Sequence, residues 1–244
     1  MEHEIWLTVL FNKFLAGPAN AVLNWAGVHP ENPAHPWTNF VTMEIFVAAL
    51  IIVTFGILRP RLSMDRPGQF QHTFEIVYNF LHSTTEDVVG HAGLRYLGFF
   101  GTLFIFIMFA NLIGLIPTLE SPTMFAAVPL GCAICAFFYY NYVGFSTQGP
   151  LTYLRHFTGP MPALAPLMFP IEIISNLARP LSLTVRLYAN MFAGEQVTMA
   201  FMGLIPIILP MPFMALHAFV GILQAYVFAL LAMVYVGDVM PHEH

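Results

Sequence analysis

Charge is what this sequence has least of: Asp, Glu, Lys and Arg make up 9% of its 244 residues, against 58% that are hydrophobic. Water-soluble domains carry about 25% charged residues. So little polar surface excludes an ordinary soluble globular protein and points to lipid as the main solvent. The formal net charge of −5 rests on too few groups to imply a charged partner, and none of the nucleic-acid kind is expected. Cysteine is nearly absent, with Cys132 and Cys135 alone in LGCAICAFF. A C-x-x-C spacing can serve redox or metal chemistry. Without a second Cys or His cluster it reads as two small helix-packing residues, so neither metal nor cofactor is expected. The opening MEHEIW lacks the basic start of a secretory signal and the arginines of a mitochondrial presequence. Direct membrane insertion, as in bacterial polytopic proteins, is the expectation. Internal repeats and low-complexity tracts are also lacking.

What is present is a series of long apolar runs. Residues 1–37 are mixed, a short amphipathic stretch followed by the loop HPENPAHPW, and they hold all three tryptophans, Trp6, Trp25 and Trp37. Tryptophan favours the membrane–water interface, so this stretch is expected to be an outer or interfacial segment preceding a single membrane domain over 38–244. Thr38 to Leu58, Tyr96 to Leu119 and Thr123 to Gly144 each suffice to cross an apolar core of about 30 Å. The ESPT link between the last two predicts a tight antiparallel hairpin. Between the first and second, FQHTFEIVYNFLHSTTEDVVG reads as an amphipathic surface helix. Leu167 to Leu204 would extend roughly 57 Å as one helix at 1.5 Å per residue, so it must tilt, bend or lie partly in the interface, with Pro180 and Gly194 as candidate bends. After Pro206, Pro210 and Pro212 the chain returns through Phe213 to Val236. The expected fold is all-α: a polytopic membrane protein with about five spanning segments, a surface helix and a long tilted C-terminal helical hairpin.

Orientation follows from the few cations. Four of the eight Lys and Arg residues fall between Arg59 and Arg95, and Arg155, beside His156, lies in the next loop on the same side. The opposite loops, ESPT and IPIILPMP, have none. By the positive-inside rule the arginine-bearing loops are cytoplasmic, with the N-terminus outside and the tail DVMPHEH inside.

The ionisable residues inside the apolar runs carry the functional information, since each costs roughly 2.5–3.5 kcal/mol on insertion scales and persists where it lines water or meets a partner. Glu172, Arg179 and Arg186 are seven apart and share one helix face. Ser175, Ser182 and Asn190 stand three or four residues from them, extending a polar stripe. Glu172 and Arg179 could simply be a structural pair, and Ser175 and Ser182 could back-bond to helix carbonyls. Arg186 has no acidic residue within one turn. Glu195, nine residues on, faces about half a turn away. In the last run His217 and Gln224 are again seven apart, and His217 is the one histidine of ten in a span. It can exchange a proton near neutral pH, although a lone buried histidine is often structural. The proline turn should bring it beside Glu195. Glu44 and Glu120, near span ends, read as interfacial.

The run L-S-L-T-V-R-L-Y-A-N-M-F-A-G-E closely resembles the arginine motif of F-type ATP synthase subunit a, S-L-x-x-R-L-x-x-N-x-x-x-x-E. F-A-N-L-I-G-L-I-P, PGQFQHTFE and L-Q-A-Y-V-F-A-L-L-A-M-V-Y-V-G resemble further segments of that family in the same order, from about Thr38 to the end. The resemblance implies a non-catalytic stator subunit in a bacterial inner membrane, pressed against a ring of c subunits, held by peripheral-stalk subunit b and coupled indirectly to the F1 sector. Arg186 matches the arginine that faces the ring carboxylates. Asn190, Glu195, His217 and Gln224 match outer half-channel positions, and Glu172, Ser175 and Ser182 inner ones. In the family the Glu195 and His217 positions can exchange residue types. Gly114 departs from relatives that carry a carboxylate there. Two other classes fit less well. A haem anchor needs paired intramembrane histidines, and a secondary transporter typically shows repeated halves.

Overall fold

The computed structural model describes residues 5–25, 35–63, 68–116, 118–149, 165–203 and 210–240. Within them the chain forms seven α-helices and no strand: α1 (Trp6–Trp25), α2 (Asn39–Leu58), α3 (Gln69–Val89), α4 (Leu97–Ile113), α5 (Ala127–Gln148), α6 (Ala165–Met202) and α7 (Pro210–Val239). An all-helical answer follows from the solvent, because hydrocarbon cannot satisfy a free peptide N–H or C=O. Arg155, His156, Pro206 and the last four residues, on which part of the orientation reading rests, lie outside the described residues.

Among the described residues, four stretches are long and apolar enough to cross a bilayer: Asn39–Leu58, His91–Ile113, Ala127–Gln148 and Pro210–Val239. The other expected crossing falls on α6, one 38-residue helix with Pro170 and Pro180 inside it. Its four ionisable residues keep composition alone from marking it as a span. Residues 6–25, expected to hold only a short amphipathic stretch, form a 20-residue helix despite Pro18 in its interior.

The helix α7 lies at the centre, packed against α3, α4, α5 and α6. Its buried positions, His217, Gly221, Gln224, Ala225, Phe228, Ala229, Ala232, Met233 and Val236, recur every three or four residues. Four of them are Gly or Ala, which let neighbouring backbones approach where packing rather than hydrophobic exclusion drives association. Phe100, Ile107, Tyr140, Leu187 and Met191 from α4, α5 and α6 close the same core. Large apolar groups such as Ile52, Phe138 and Phe219 point outward, as a surface in contact with lipid requires.

The expected tight α4–α5 hairpin does not form: α5 packs mainly against α6 and α7, and the link is longer than four residues. Helix α4 ends at Ile113 and α5 starts at Ala127, and α7 packs against both. The described residues of the connector, 114–116 and 118–126, fold back instead, with Ser121 donating its hydroxyl to the Ala110 carbonyl at 2.8 Å. That satisfies one of the acceptors a helix end leaves open. At the opposite end of the bundle, α3 lays Leu81 and Thr85 inward, and Thr85 reaches Met233 of α7. The chain leaves α3 through Gly90 at φ +87°, a conformation that glycine adopts at little steric cost. There too, Gln148 of α5 donates to the Val239 carbonyl at 2.7 Å, tying down the end of α7.

Candidate functional site

The four ionisable residues of α6 meet four different surroundings. Arg179 is three-quarters buried and forms an ion pair with Asp238 of α7 at 3.2 Å. Its guanidinium also lies 4.7 Å from the Tyr235 ring centre and 5.9 Å from that of Tyr140. The Tyr140 hydroxyl donates to the Asn176 side chain, one turn before Arg179. Arg179 therefore takes its counter-ion from α7, not from Glu172. Glu172 is half-buried, and Ser175 and Ser182 are exposed.

Arg186 is different. It is exposed, and among the described residues it has no ion-pair partner. Ser182 and Asn190, one turn to either side, are exposed with it, as are Leu181 and Val185. A guanidinium on the flank of an apolar helix is expensive against lipid. The arrangement is stable where something polar covers that flank.

Glu195 turns the other way and is buried. Together with His217 of α7 and Glu120 of the connector it lines a cavity of about 580 Å³ at the connector end of the bundle. Thr118, Thr198, Met199, Met202 and Met214 complete much of its wall. The imidazole lies hard against the backbone of α6: a Cβ at Gly194 would fall 2.1 Å from His217 Nδ1. Thr118 sits at φ +94°, a strained conformation for a β-branched residue that costs on the order of 1–3 kcal/mol. Further along, Asn190 donates its amide to Gln224 Oε1 at 3.0 Å. Gln224 Nε2 and Glu195 Oε2 are buried with no hydrogen-bond partner among the described residues. Carboxylate, imidazole and amides are thus set in sequence from the cavity toward Asn190, one helical turn from Arg186. Side chains of these types can hold water and exchange protons.

Several contributors were not singled out in the sequence. Asn111 of α4 is buried and donates to the Gly221 carbonyl of α7 at 2.8 Å, midway between His217 and Gln224. Thr123 of the connector donates to Asn111 Oδ1 at 2.6 Å, and Ser121 and Thr123 share a 2.7 Å hydrogen bond. An amide inside F-A-N-L-I-G is a costly polar group in an apolar run, and that was the available signal. Asp238 carried none, because it lies near the chain end, beyond the apolar run. Glu120, read as interfacial, lines the cavity, whereas Glu44 does not. Gly114 also finds its reason here: a Cβ there would stand 2.9 Å from Ser121 Cβ, leaving no room for a carboxylate while the connector folds this way. Cys132 packs against the core and Cys135 faces outward. No group of three metal-ligating side chains occurs among the described residues.

Residues 41–237 match the family model described as ATP synthase A chain. The chain is 60% identical to ATP synthase subunit a of Solibacter usitatus over 235 residues, covering 96% of this chain and all of that protein. It is 45% identical to the subunit a of Koribacter versatilis over the full length of both. With that of Sulfurihydrogenibium sp. it shares 37% identity over 84% of this chain and 98% of the other.

Proposed function

Because this chain belongs to the ATP synthase subunit a family, we propose that it supplies two offset proton half-channels separated by Arg186. In this reading the cavity lined by Glu120, Glu195 and His217 is the outer inlet, and Asn190 and Gln224 lead from it toward Arg186. Glu172, Ser175 and Ser182 line the inner outlet. The exposed flank around Arg186 rests on a ring of c subunits whose carboxylates pass it in turn. Subunit b holds the chain in the stator, the F1 sector makes ATP, and this chain performs no catalysis of its own. It lies in a bacterial inner membrane as one membrane domain over 38–244, with the segment 1–37 outside. Its N-terminus is outside and its C-terminus cytoplasmic.

The observation that carries this reading is the contrast between two arginines on one helix. Arg179 has its counter-ion inside the chain, while Arg186 is exposed and lacks one among the described residues. A guanidinium stays charged at any working pH. Facing a ring carboxylate it favours the ionised form, so the proton leaves before the carboxylate passes and is replaced only after it has moved on. The same fixed charge blocks a proton from crossing directly between the half-channels. A membrane potential supplies about 2.3 kcal/mol per charge per 100 mV, which biases the direction of rotation. The test is Arg186→Ala in the assembled complex. Proton-driven ATP synthesis is expected to vanish with subunit abundance unchanged, and normal synthesis would refute the mechanism.

A further inference from the structure

The family match begins at residue 41, so α1 lies outside the segment on which the proposed channel rests. Yet α1 is bolted to the residues that lead into that segment and packs on the segment itself. Asn12 accepts from the Trp37 backbone N–H at 3.0 Å and donates back to the Trp37 carbonyl at 3.3 Å. The Trp37 indole donates to the Leu15 carbonyl at 3.0 Å, and its ring meets Phe11 edge-on at 5.7 Å. At the start of the helix the Ile5 N–H donates to Asn39 Oδ1 at 3.3 Å. Ile5 and Leu7 are buried in a cluster with Met43 and Val47 of α2 and Ala110 and Ile113 of α4. These contacts fix both the position and the rotation of α1.

That rotation has a consequence for the cavity. Ile5 and Trp6 stand in its wall, together with the connector residues and the α6 and α7 side chains. Ile5 is buried, whereas Trp6 is 58% exposed, so Trp6 borders the cavity with much of its surface free. Asn12 and Trp37 hold the helix about nine Å along its axis from Trp6, at 1.5 Å per residue. The Asn12–Trp37 clamp is therefore separate from Trp6, while Ile5 beside it both anchors the helix and borders the cavity.

We propose that α1 is the outer wall of the proton inlet and that Trp6 controls the access of water to Glu120, Glu195 and His217. This rests on the reading of the cavity as the inlet. A rigid aromatic at an interface narrows an opening at low entropic cost. The polar groups behind it receive protons only through water that passes it.

The test uses the complete ATP synthase with Cys132→Ala and Cys135→Ala as background, comparing Trp6→Cys with Phe14→Cys. Phe14 lies on the same helix, is 69% exposed and is not in the cavity wall. Each complex is labelled with a cationic or an anionic methanethiosulfonate of similar size, reconstituted into liposomes, and assayed for potential-driven proton flux. Labelling at position 6 should remove most of the flux, the cationic reagent more than the anionic one, while labelling at position 14 leaves it unchanged. A purely structural role would not distinguish the two charges. If Trp6→Cys fails to assemble, Trp6→Ala and Trp6→Phe without labelling serve instead: the alanine variant should change the flux and the phenylalanine variant should keep it. Complete labelling at position 6 with undiminished flux, or equal loss at position 14, would overturn the proposal. Arg186→Ala in the same liposomes separates the two ideas. If it abolishes proton-driven ATP synthesis while labelling at position 6 leaves the flux undiminished, the channel reading stands and the role of α1 falls.

Discussion

The His217 imidazole occupies the space that a side chain at position 194 would need: a Cβ on Gly194 would lie 2.1 Å from Nδ1 and 2.7 Å from Cε1. No rotation of a methyl group relieves such a contact, so one of the two helices or the ring must move.

Gly194→Ala is therefore expected to push His217 away from Glu195 and to destabilise the α6–α7 contact by about 1–3 kcal/mol, the usual range for overpacking. Proton flux should fall sharply. Adding His217→Gly should restore the thermal stability of the subunit but not the flux, which separates the steric role of the ring from its chemical one. Thermal unfolding and flux measured on the same preparations check both halves.

Glu195→Gln removes a group that can exchange a proton at the cavity while altering little packing, and His217→Ala removes another together with the ring's contact on α6. Both should slow proton flux more than they lower subunit abundance. The double variant should cost less than the sum of the two, since the pair lines one cavity and sites that share partners are not additive. Equal loss of flux and abundance would instead mark them as folding residues.

Asp238→Asn breaks the ion pair with Arg179 but leaves the guanidinium over Tyr235. The aspartate is half exposed, so the loss should be no more than about 1 kcal/mol. Arg179→Gln also forfeits the stacking on Tyr235, worth roughly 0.5–2 kcal/mol, and should be the more damaging change. Thermal stabilities arranged as a double-mutant cycle would check the order.

Asn111→Leu removes the donor to the Gly221 carbonyl and the acceptor of Thr123 together. Interhelical hydrogen bonds in membrane proteins average about 0.6 kcal/mol, so roughly twice that loss is expected, with Thr123→Val near the single value. Gly221→Ala should mimic Asn111→Leu, because its Cβ would meet Asn111 Cβ at 3.2 Å. Denaturation of the three variants gives the comparison.

Much of the fold was legible because lipid imposes simple rules. A run of about 20 apolar residues spans, and α2 was delimited to within one residue at its start. The unbroken length of α6 was equally plain. The prediction for the connector was less accurate, since α4 ends six residues before the apolar run does. Apolar character continues through Leu115 and Ile116, but Ser121 and Asn111 recruit that stretch into a folded-back loop. Helix α1 was underestimated because Gly17 and Pro18 argue locally against it. Its support comes from Trp37 and the α2 surface, contacts across more than 20 residues.

Arg186 shows where the division lies. The sequence by itself determined that it is an isolated cation within one long apolar helix, seven residues from Arg179 and with no acid within a turn. Helical periodicity and the cost of charge in hydrocarbon establish that much. Only the tertiary structure decided that Arg179 is neutralised by Asp238 and that Glu120 joins Glu195 and His217, already expected to be neighbours, around one cavity. It likewise decided that α6 and α7 rather than α4 are the main neighbours of α5. In lipid the faces toward protein and toward hydrocarbon are equally apolar, so the pattern of residues does not say which helix lies against which. Small residues, amide hydrogen bonds and one ion pair do, and their partners are far apart in the chain.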